Sequence, residues 1–93
     1  MYHKSFASIC EDLREFFSEQ KDYERAILYG KEEVNALDKI YGEFHKRTTS
    51  TRYQIAVYLR KQSKYMDSLH LFLQVVESEK IMYGENDTNL AMT

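Results

Sequence analysis

The chain has 93 residues, one cysteine and no proline, with 43% hydrophobic residues and a formal net charge of −2. This length fits one small domain, the single cysteine excludes an internal disulfide, and the low net charge gives no reason to expect nucleic acid as a partner. No apolar run approaches the roughly 20 residues of a membrane-spanning helix, and the acidic first 20 residues are unlike a signal peptide, so we expect a cytoplasmic protein without membrane insertion.

The first half of the chain has the pattern of two amphipathic helices. The first covers about residues 5–20, and its apolar residues recur at helical spacing: Phe6, Ile9, Leu13 and Phe17. The second ends near Tyr41, because Gly42 can take the left-handed conformation that ends a helix. Gly30 lies inside this second helix at a cost of about 1 kcal/mol relative to alanine. Either a neighbouring helix packs unusually close to it, or the helix is locally weak.

The second half repeats this arrangement. The hydroxyl run at 48–51 predicts the start of a third helix, near Thr48, that continues to about Gln62. Ser63 and Lys64 form a tight link to a fourth helix that ends near Tyr83. The spacing of its apolar residues predicts one inner face, made of Tyr65, Leu69, Phe72, Val76 and Tyr83.

The two halves are related by an offset of 42 residues. The segment 41–43, Tyr-Gly-Glu, returns at 83–85, and Gln20 and Tyr23 return as Gln62 and Tyr65. Apolar positions share the offset, for example Leu13 with Ile55, Phe16 with Tyr58, Ile27 with Leu69 and Val34 with Val76. A period common to turns and core predicts two stacked copies of one helical unit. We place repeat one at about 5–46, repeat two at about 47–88, and the start of a third unit at 89–93.

Three segments carry a family resemblance. The stretches 60–65 and 77–86, together with 41–45, resemble tetratricopeptide repeats of the 42-residue kind found in kinesin light chains and nephrocystin-like proteins. The resemblance covers nearly the whole chain, although neither unit is closed by a proline. It implies an all-α fold in which antiparallel helix hairpins stack as a right-handed α-solenoid.

One position departs from the pattern of close helix contacts. Ala56 suits the close approach of two helices in the second copy, but the equivalent residue in the first copy is Arg14. An arginine there predicts that the first helix has one relatively solvated side, as the terminal unit of a repeat array does.

The resemblance also implies a function as a protein–protein interaction scaffold. In the family, the first helix of each unit lines a concave face that holds a peptide or a partner helix. Carried over to this chain, that face contains Glu11, Glu15 and Glu19 in the first unit, and Tyr53, Gln54, Val57 and Arg60 in the second. The three glutamates are spaced at i, i+4 and i+8 and repel one another by about 0.2–0.5 kcal/mol per pair. Such a face is typical of a solvated helix surface, or of a surface that attracts a basic peptide.

The fourth helix is apolar nearly all round, with six hydrophobic residues between positions 69 and 76. One hairpin cannot cover such a helix, and repeat arrays commonly need three or more units. We therefore predict an association surface at Leu71, Leu73 and Val75. A further unit, a second copy of the chain in a homo-oligomer, or a different protein would pack against it.

The sequence gives no sign of catalytic chemistry, a metal or a cofactor, so we expect that the chain is not an enzyme. His3, His45 and His70 lack partners at ligand spacing. We expect His45 in the turn after Gly42, His70 partly packed between helices, and Cys10 in the core. Two alternatives stay open: a helical appendage of an enzyme such as a SET and MYND type lysine methyltransferase, and a reader of single-stranded RNA. The acidic first helix argues against the second of these.

Overall fold

The structure, a computed structural model, describes residues 4–84, and in this range all regular secondary structure is α-helical. The four helices are α1 (Lys4–Glu19), α2 (Tyr23–Tyr41), α3 (Lys46–Lys61) and α4 (Tyr65–Tyr83). The predicted all-α class is confirmed. Both ends of α3 and of α4 lie 42 residues after the corresponding ends of α1 and α2. The predicted start of a third unit, at 89–93, lies outside the described residues.

The links within the two helix pairs have the same backbone conformation. Lys21 and Ser63 have φ values of 62° and 65°, in the left-handed region that is unfavourable for residues with a Cβ. The amide after each of them bonds back into the preceding helix: Asp22 N donates to the Phe17 carbonyl at 2.8 Å, and Lys64 N to the Leu59 carbonyl at 2.9 Å. This pattern is a Schellman motif, which ends a helix and reverses the chain within a few residues. The predicted tight link at 63–64 is confirmed.

The connection between α2 and α3 uses different local chemistry. Gly42 has a φ of 93°, and its amide donates to the Asp38 carbonyl at 2.9 Å. His45 is the N-cap of α3, because its Nδ1 accepts a hydrogen bond from the Arg47 amide at 3.1 Å. The α3 helix therefore begins at Lys46, two residues before the predicted start. The expectation that His45 lies in the turn after Gly42 is confirmed.

Each helix packs against the next one along the chain, so that α2 lies between α1 and α3. One buried cluster joins α2 and α3 and consists of Ala26, Ile27, Ile55 and Tyr58. A second cluster joins α1 and α2 and consists of Ala7, Ala36 and Leu37. The core therefore runs along both sides of α2.

Gly30 lies where α2 and α3 pack closely against each other. A Cβ atom at Gly30 would lie 2.8 Å from Cγ1 of Ile55 and 3.3 Å from Cδ of Arg14. Of the two explanations that the sequence leaves open, close packing of a neighbouring helix is therefore the correct one. The missing side chain of Gly30 makes room for α3.

Candidate functional site

Side chains of α1 and α3 face one another across an open groove, which we call the polar groove. It has a volume of about 360 Å³. Its lining consists of Glu11, Arg14, Glu15, Ser18 and Glu19 from α1, and of Ser50, Gln54 and Tyr58 from α3. The structure thus brings together four of the residues that the resemblance assigns to a concave face: Glu11, Glu15, Glu19 and Gln54.

The acidic side chains of the polar groove differ in their partners. Glu11 forms an ion pair with Arg47 of α3 at 3.3 Å. Glu15 and Glu19 are exposed, and no basic side chain among those the structure describes forms an ion pair with either of them. Two carboxylates are therefore available at the mouth of the groove.

The other three predicted binding residues lie elsewhere. Tyr53 lies on a different side of α3, with its ring centroid 5.5 Å from that of Phe72. Val57 is half-buried, and Arg60 is exposed in the last turn of α3. Four of the seven predicted residues therefore line the polar groove, and three lie outside its lining.

A second groove lies between α3 and α4, and we call it the apolar groove. Its volume is about 510 Å³. It is lined by Lys46, Thr49, Ser50 and Tyr53 from α3, and by Phe72, Val75, Val76, Glu79, Met82 and Tyr83 from α4. This groove was not predicted from the sequence, because the apolar spacing of α4 indicated a buried inner face.

The predicted inner face of α4 is wrong. The packing face is formed instead by Ser68, Val75 and Ser78, which are buried, and by Leu71, which packs against the cluster of α2 and α3. The Ser68 hydroxyl donates to the Ala56 carbonyl at 2.8 Å. Small side chains let α4 approach α3 closely, which turns other residues outward. The exposed large hydrophobic residues of α4 are Tyr65, Met66, Leu69, Leu73, Val76, Ile81 and Tyr83.

Because a different face of α4 packs against α3, the predicted association surface changes as well. Val75 is 6% exposed within the chain, so it is not available to a partner, and Leu71 is half-buried against the cluster of α2 and α3. Of the three predicted residues, Leu73 alone is exposed. The exposed apolar surface of α4 is broader than predicted, because it contains Leu73 together with the six other exposed hydrophobic residues named above.

Arg14 is buried, and the prediction of a solvated side at this position is wrong. It is 6% exposed and Glu33 is 2% exposed. Its Nε donates to Glu33 Oε1 at 2.8 Å, and its Nη1 donates to the Tyr58 hydroxyl at 3.0 Å. A long side chain can enter the interior when its charge is paired and its donors are used. The sequence does contain one signal for a buried partner of Arg14: a charged residue at position 33, between the apolar positions 26 and 37 of α2.

The buried polar contacts of Arg14 and Glu33 continue to Thr51 of α3. Oε2 of Glu33 lies 3.2 Å from the hydroxyl of Thr51, which is also 3.0 Å from the Arg47 carbonyl. Burial raises the pKa of Glu33 above its ordinary value, while the hydrogen bond from Arg14 acts in the opposite direction. Arg14, Glu33, Thr51 and Tyr58 thus join α1, α2 and α3 through buried polar contacts.

The remaining reactive side chains are dispersed. Cys10 is buried, as predicted, and its burial, together with Glu32 and Glu33, raises the pKa of the thiol. His70 is exposed on α4, so the prediction that it packs between helices is wrong. Within residues 4–84, no three His, Cys, Asp or Glu side chains are grouped so that they could hold a metal ion.

No family model, no curated protein and no solved structure matches this chain. The tetratricopeptide assignment accordingly stays a prediction. None of the helices in the described range is both long and apolar enough to cross a bilayer.

Proposed function

We propose that this chain is a protein–protein interaction scaffold whose polar groove binds a basic segment of a partner protein. In this proposal the two helix hairpins are units of a right-handed α-solenoid of the tetratricopeptide kind. The 42-residue recurrence of the helix ends and the packing of each helix on the next support it. The observation that carries the binding role is the convergence of the α1 glutamates and Gln54 on one groove.

The dimensions of the groove indicate the size of the segment. From Glu11 to Glu19 the α1 helix rises about 12 Å, which an extended peptide spans with about four residues. Each exposed ion pair contributes about 0.2–1 kcal/mol, so several lysine or arginine contacts are needed together. Binding should then weaken as salt is added, because exposed charges are screened.

The first prediction concerns this groove. A fluorescently labelled peptide of about eight residues, rich in lysine and arginine, should bind the purified chain at low salt. Glu15→Gln combined with Glu19→Gln should weaken binding by about fivefold or more, because two ion pairs are lost. Fluorescence anisotropy titrations measure both affinities.

The control variant changes the net charge by the same amount, but outside the polar groove. Glu24→Gln combined with Asp38→Asn alters two exposed acidic residues of α2 that do not line the groove. This control should bind the basic peptide like the unmodified chain. An equal loss in both variants, or no binding by the unmodified chain, would contradict the proposal.

A further inference from the structure

The chain contains one complete example of a helix docked on a helix pair. The α3 helix lies against α1 and α2 through three residues on one face: Thr51, Ile55 and Tyr58. Ile55 occupies the space beside Gly30, the Tyr58 hydroxyl accepts from Arg14, and the Thr51 hydroxyl contacts Glu33. These contacts define the joint between the two halves of the molecule.

The apolar groove is the counterpart of the surface on which α3 docks. Adding 42 to the receiving residues of the first pair gives the corresponding residues of the second: Gly30 becomes Phe72, Arg14 becomes Ala56 and Glu33 becomes Val75. Phe72 and Val75 line the apolar groove. Ala56 and Val75 are already buried within the chain, so the part of this surface that is uncovered within residues 4–84 consists of the half-buried Phe72 and the exposed neighbours that line the groove with it, Tyr53 and Val76.

The other half of the joint is present on α1. Subtracting 42 from Thr51, Ile55 and Tyr58 gives the residues Ile9, Leu13 and Phe16, which we call the α1 apolar face. Ile9 is 56% exposed and Phe16 is 54% exposed, while Leu13 is half-buried. The α1 helix thus carries an uncovered face at the positions that α3 uses for docking.

The chemistry of the two uncovered surfaces matches. At the internal joint, polar contacts of Arg14 with Tyr58 and of Glu33 with Thr51 accompany the apolar cluster that joins α2 and α3. At a joint of the same geometry, the exposed Ile9 and Phe16 would face the apolar groove, where Phe72 and Val76 remain accessible, so apolar groups would meet apolar groups.

The charges of the helices are complementary as well. The α3 helix has five basic residues and no acidic residue: Lys46, Arg47, Arg52, Arg60 and Lys61. The α1 helix has four acidic residues: Glu11, Asp12, Glu15 and Glu19. Within the chain these helices already form the Arg47–Glu11 ion pair. Glu11, Glu15 and Glu19 line the polar groove of their own copy, so in an association of two copies the opposite charges of an incoming α1 and of α3 act through the net charge of each helix and not through this ion pair.

We propose that the chain binds a second copy of itself head to tail, with the α1 apolar face of one copy in the apolar groove of the next. The contact between two copies would repeat, one helix pair further along, the contact that α3 makes with α1 and α2 inside the chain. Because the two contacting surfaces differ, the association is heterologous and leaves one surface of each kind free at the ends. The assembly therefore grows with concentration.

The test is the mass of the full 93-residue chain in solution. Light scattering should give a mass that rises above 11.1 kDa as the concentration increases from about 1 μM to about 500 μM. Ile9→Glu on α1 and Val76→Glu in the groove should each weaken self-association by at least about tenfold, because each places a charge in an apolar contact. Circular dichroism should show unchanged helix content in both variants.

A mixture of the two variants gives the sharpest result. Each variant keeps one intact surface, so Ile9→Glu and Val76→Glu together should form a pair of twice 11.1 kDa and nothing larger. Leu28→Glu is the matched control, because Leu28 is an exposed apolar residue of α2 outside both surfaces. It should assemble like the unmodified chain.

Three outcomes would overturn the proposal. The unmodified chain could stay at 11.1 kDa at every concentration, which would assign the groove to a different protein or to further helical units. Alternatively, the single variants could assemble as well as Leu28→Glu does, or their mixture could fail to pair. Peptide binding by the Val76→Glu variant tests the polar groove separately, because Val76 does not line it.

Discussion

A buried ion pair makes the folded state depend on both of its partners. Arg14 and Glu33 are each less than one-tenth exposed, and removal of one partner leaves the other charge buried without compensation. At the equivalent positions of the second half the chain has Ala56 and Val75, which are also buried. An ionic pair is therefore not required to pack a helix pair of this shape.

Glu33→Gln should lower the free energy of unfolding by about 3 kcal/mol, because the Arg14 charge stays buried after its counter-ion is lost. This loss is a large part of the stability of a small domain. Urea denaturation, followed by circular dichroism at a concentration where the chain is monomeric, measures it.

Two variants make this prediction specific. Glu32→Gln, one residue away and only half-buried, should change stability by no more than about 0.5 kcal/mol. Arg14→Ala combined with Glu33→Val copies the apolar pair of the second half and should be less destabilised than Glu33→Gln alone. If Glu33→Gln and Glu32→Gln had equal stability, the buried pair would not have the role assigned to it.

Cys10 provides a prediction that depends on pH. Its pKa in the folded chain is raised by burial and by Glu32 and Glu33, whereas a cysteine in the unfolded chain titrates near about 8.5. Below that pH the thiol is neutral in both states. As the pH rises from there through the folded pKa, the unfolded chain loses its proton first, so the free energy of unfolding should fall.

The comparison is between the unmodified chain and Cys10→Ala at about pH 7 and about pH 9.5. The difference in stability between the two pH values should be smaller in Cys10→Ala, because the titrating thiol is absent. A thiol reagent should also react with folded Cys10 more slowly than with a small free thiol. Equal pH dependence of the two proteins would contradict the assignment.

At the scale of the helices, the contact between Gly30 and Ile55 sets the distance between α2 and α3. Gly30→Ala should lower the free energy of unfolding by up to about 2 kcal/mol. The new Cβ would lie 2.8 Å from Ile55 Cγ1, and such overpacking costs about 1–3 kcal/mol, which exceeds the gain in helix propensity of about 1 kcal/mol. Denaturant unfolding measures the change.

The effect of Gly30→Ala on the free energy of unfolding should have the opposite sign when the side chain of Ile55 is shortened. In an Ile55→Ala background the contact with Ile55 Cγ1 is removed and only the milder 3.3 Å contact with Arg14 Cδ remains, so the gain in helix propensity should make Gly30→Ala stabilising by up to about 1 kcal/mol. If Gly30→Ala stabilised the unmodified chain as well, the two helices would have room to move apart at this point.

The helices themselves were predictable from the sequence, but the orientation of α4 was not. Turn residues and a shared period place the predicted ends of α1, α3 and α4, and the C-terminal end of α2, within two residues of their observed positions. The α4 helix is apolar on most sides, so its hydrophobic pattern does not single out one face. Its packing face contains Ser68, whose hydroxyl satisfies the Ala56 carbonyl, and a hydrophobicity pattern does not identify such a contact.

At the scale of the whole molecule, the sequence predicted which residues of α1 share a face but not what lies opposite them. Glu11, Glu15 and Glu19 line one groove because their spacing follows the helix. The position of Arg14 depended on a partner 19 residues away on another helix. Contacts of this kind follow from how helices pack together, and a pattern along one helix does not contain them.

The opposite charges of α1 and α3 also have a kinetic consequence. A basic helix beside an acidic one gives the surface a directional field, which orients a charged partner before any contact forms. Complementary charges of this kind act mainly on the rate of association, whereas short-range apolar contacts such as those in the apolar groove determine how long a complex lasts. Added salt should therefore slow the formation of complexes on these surfaces much more than it shortens their lifetime.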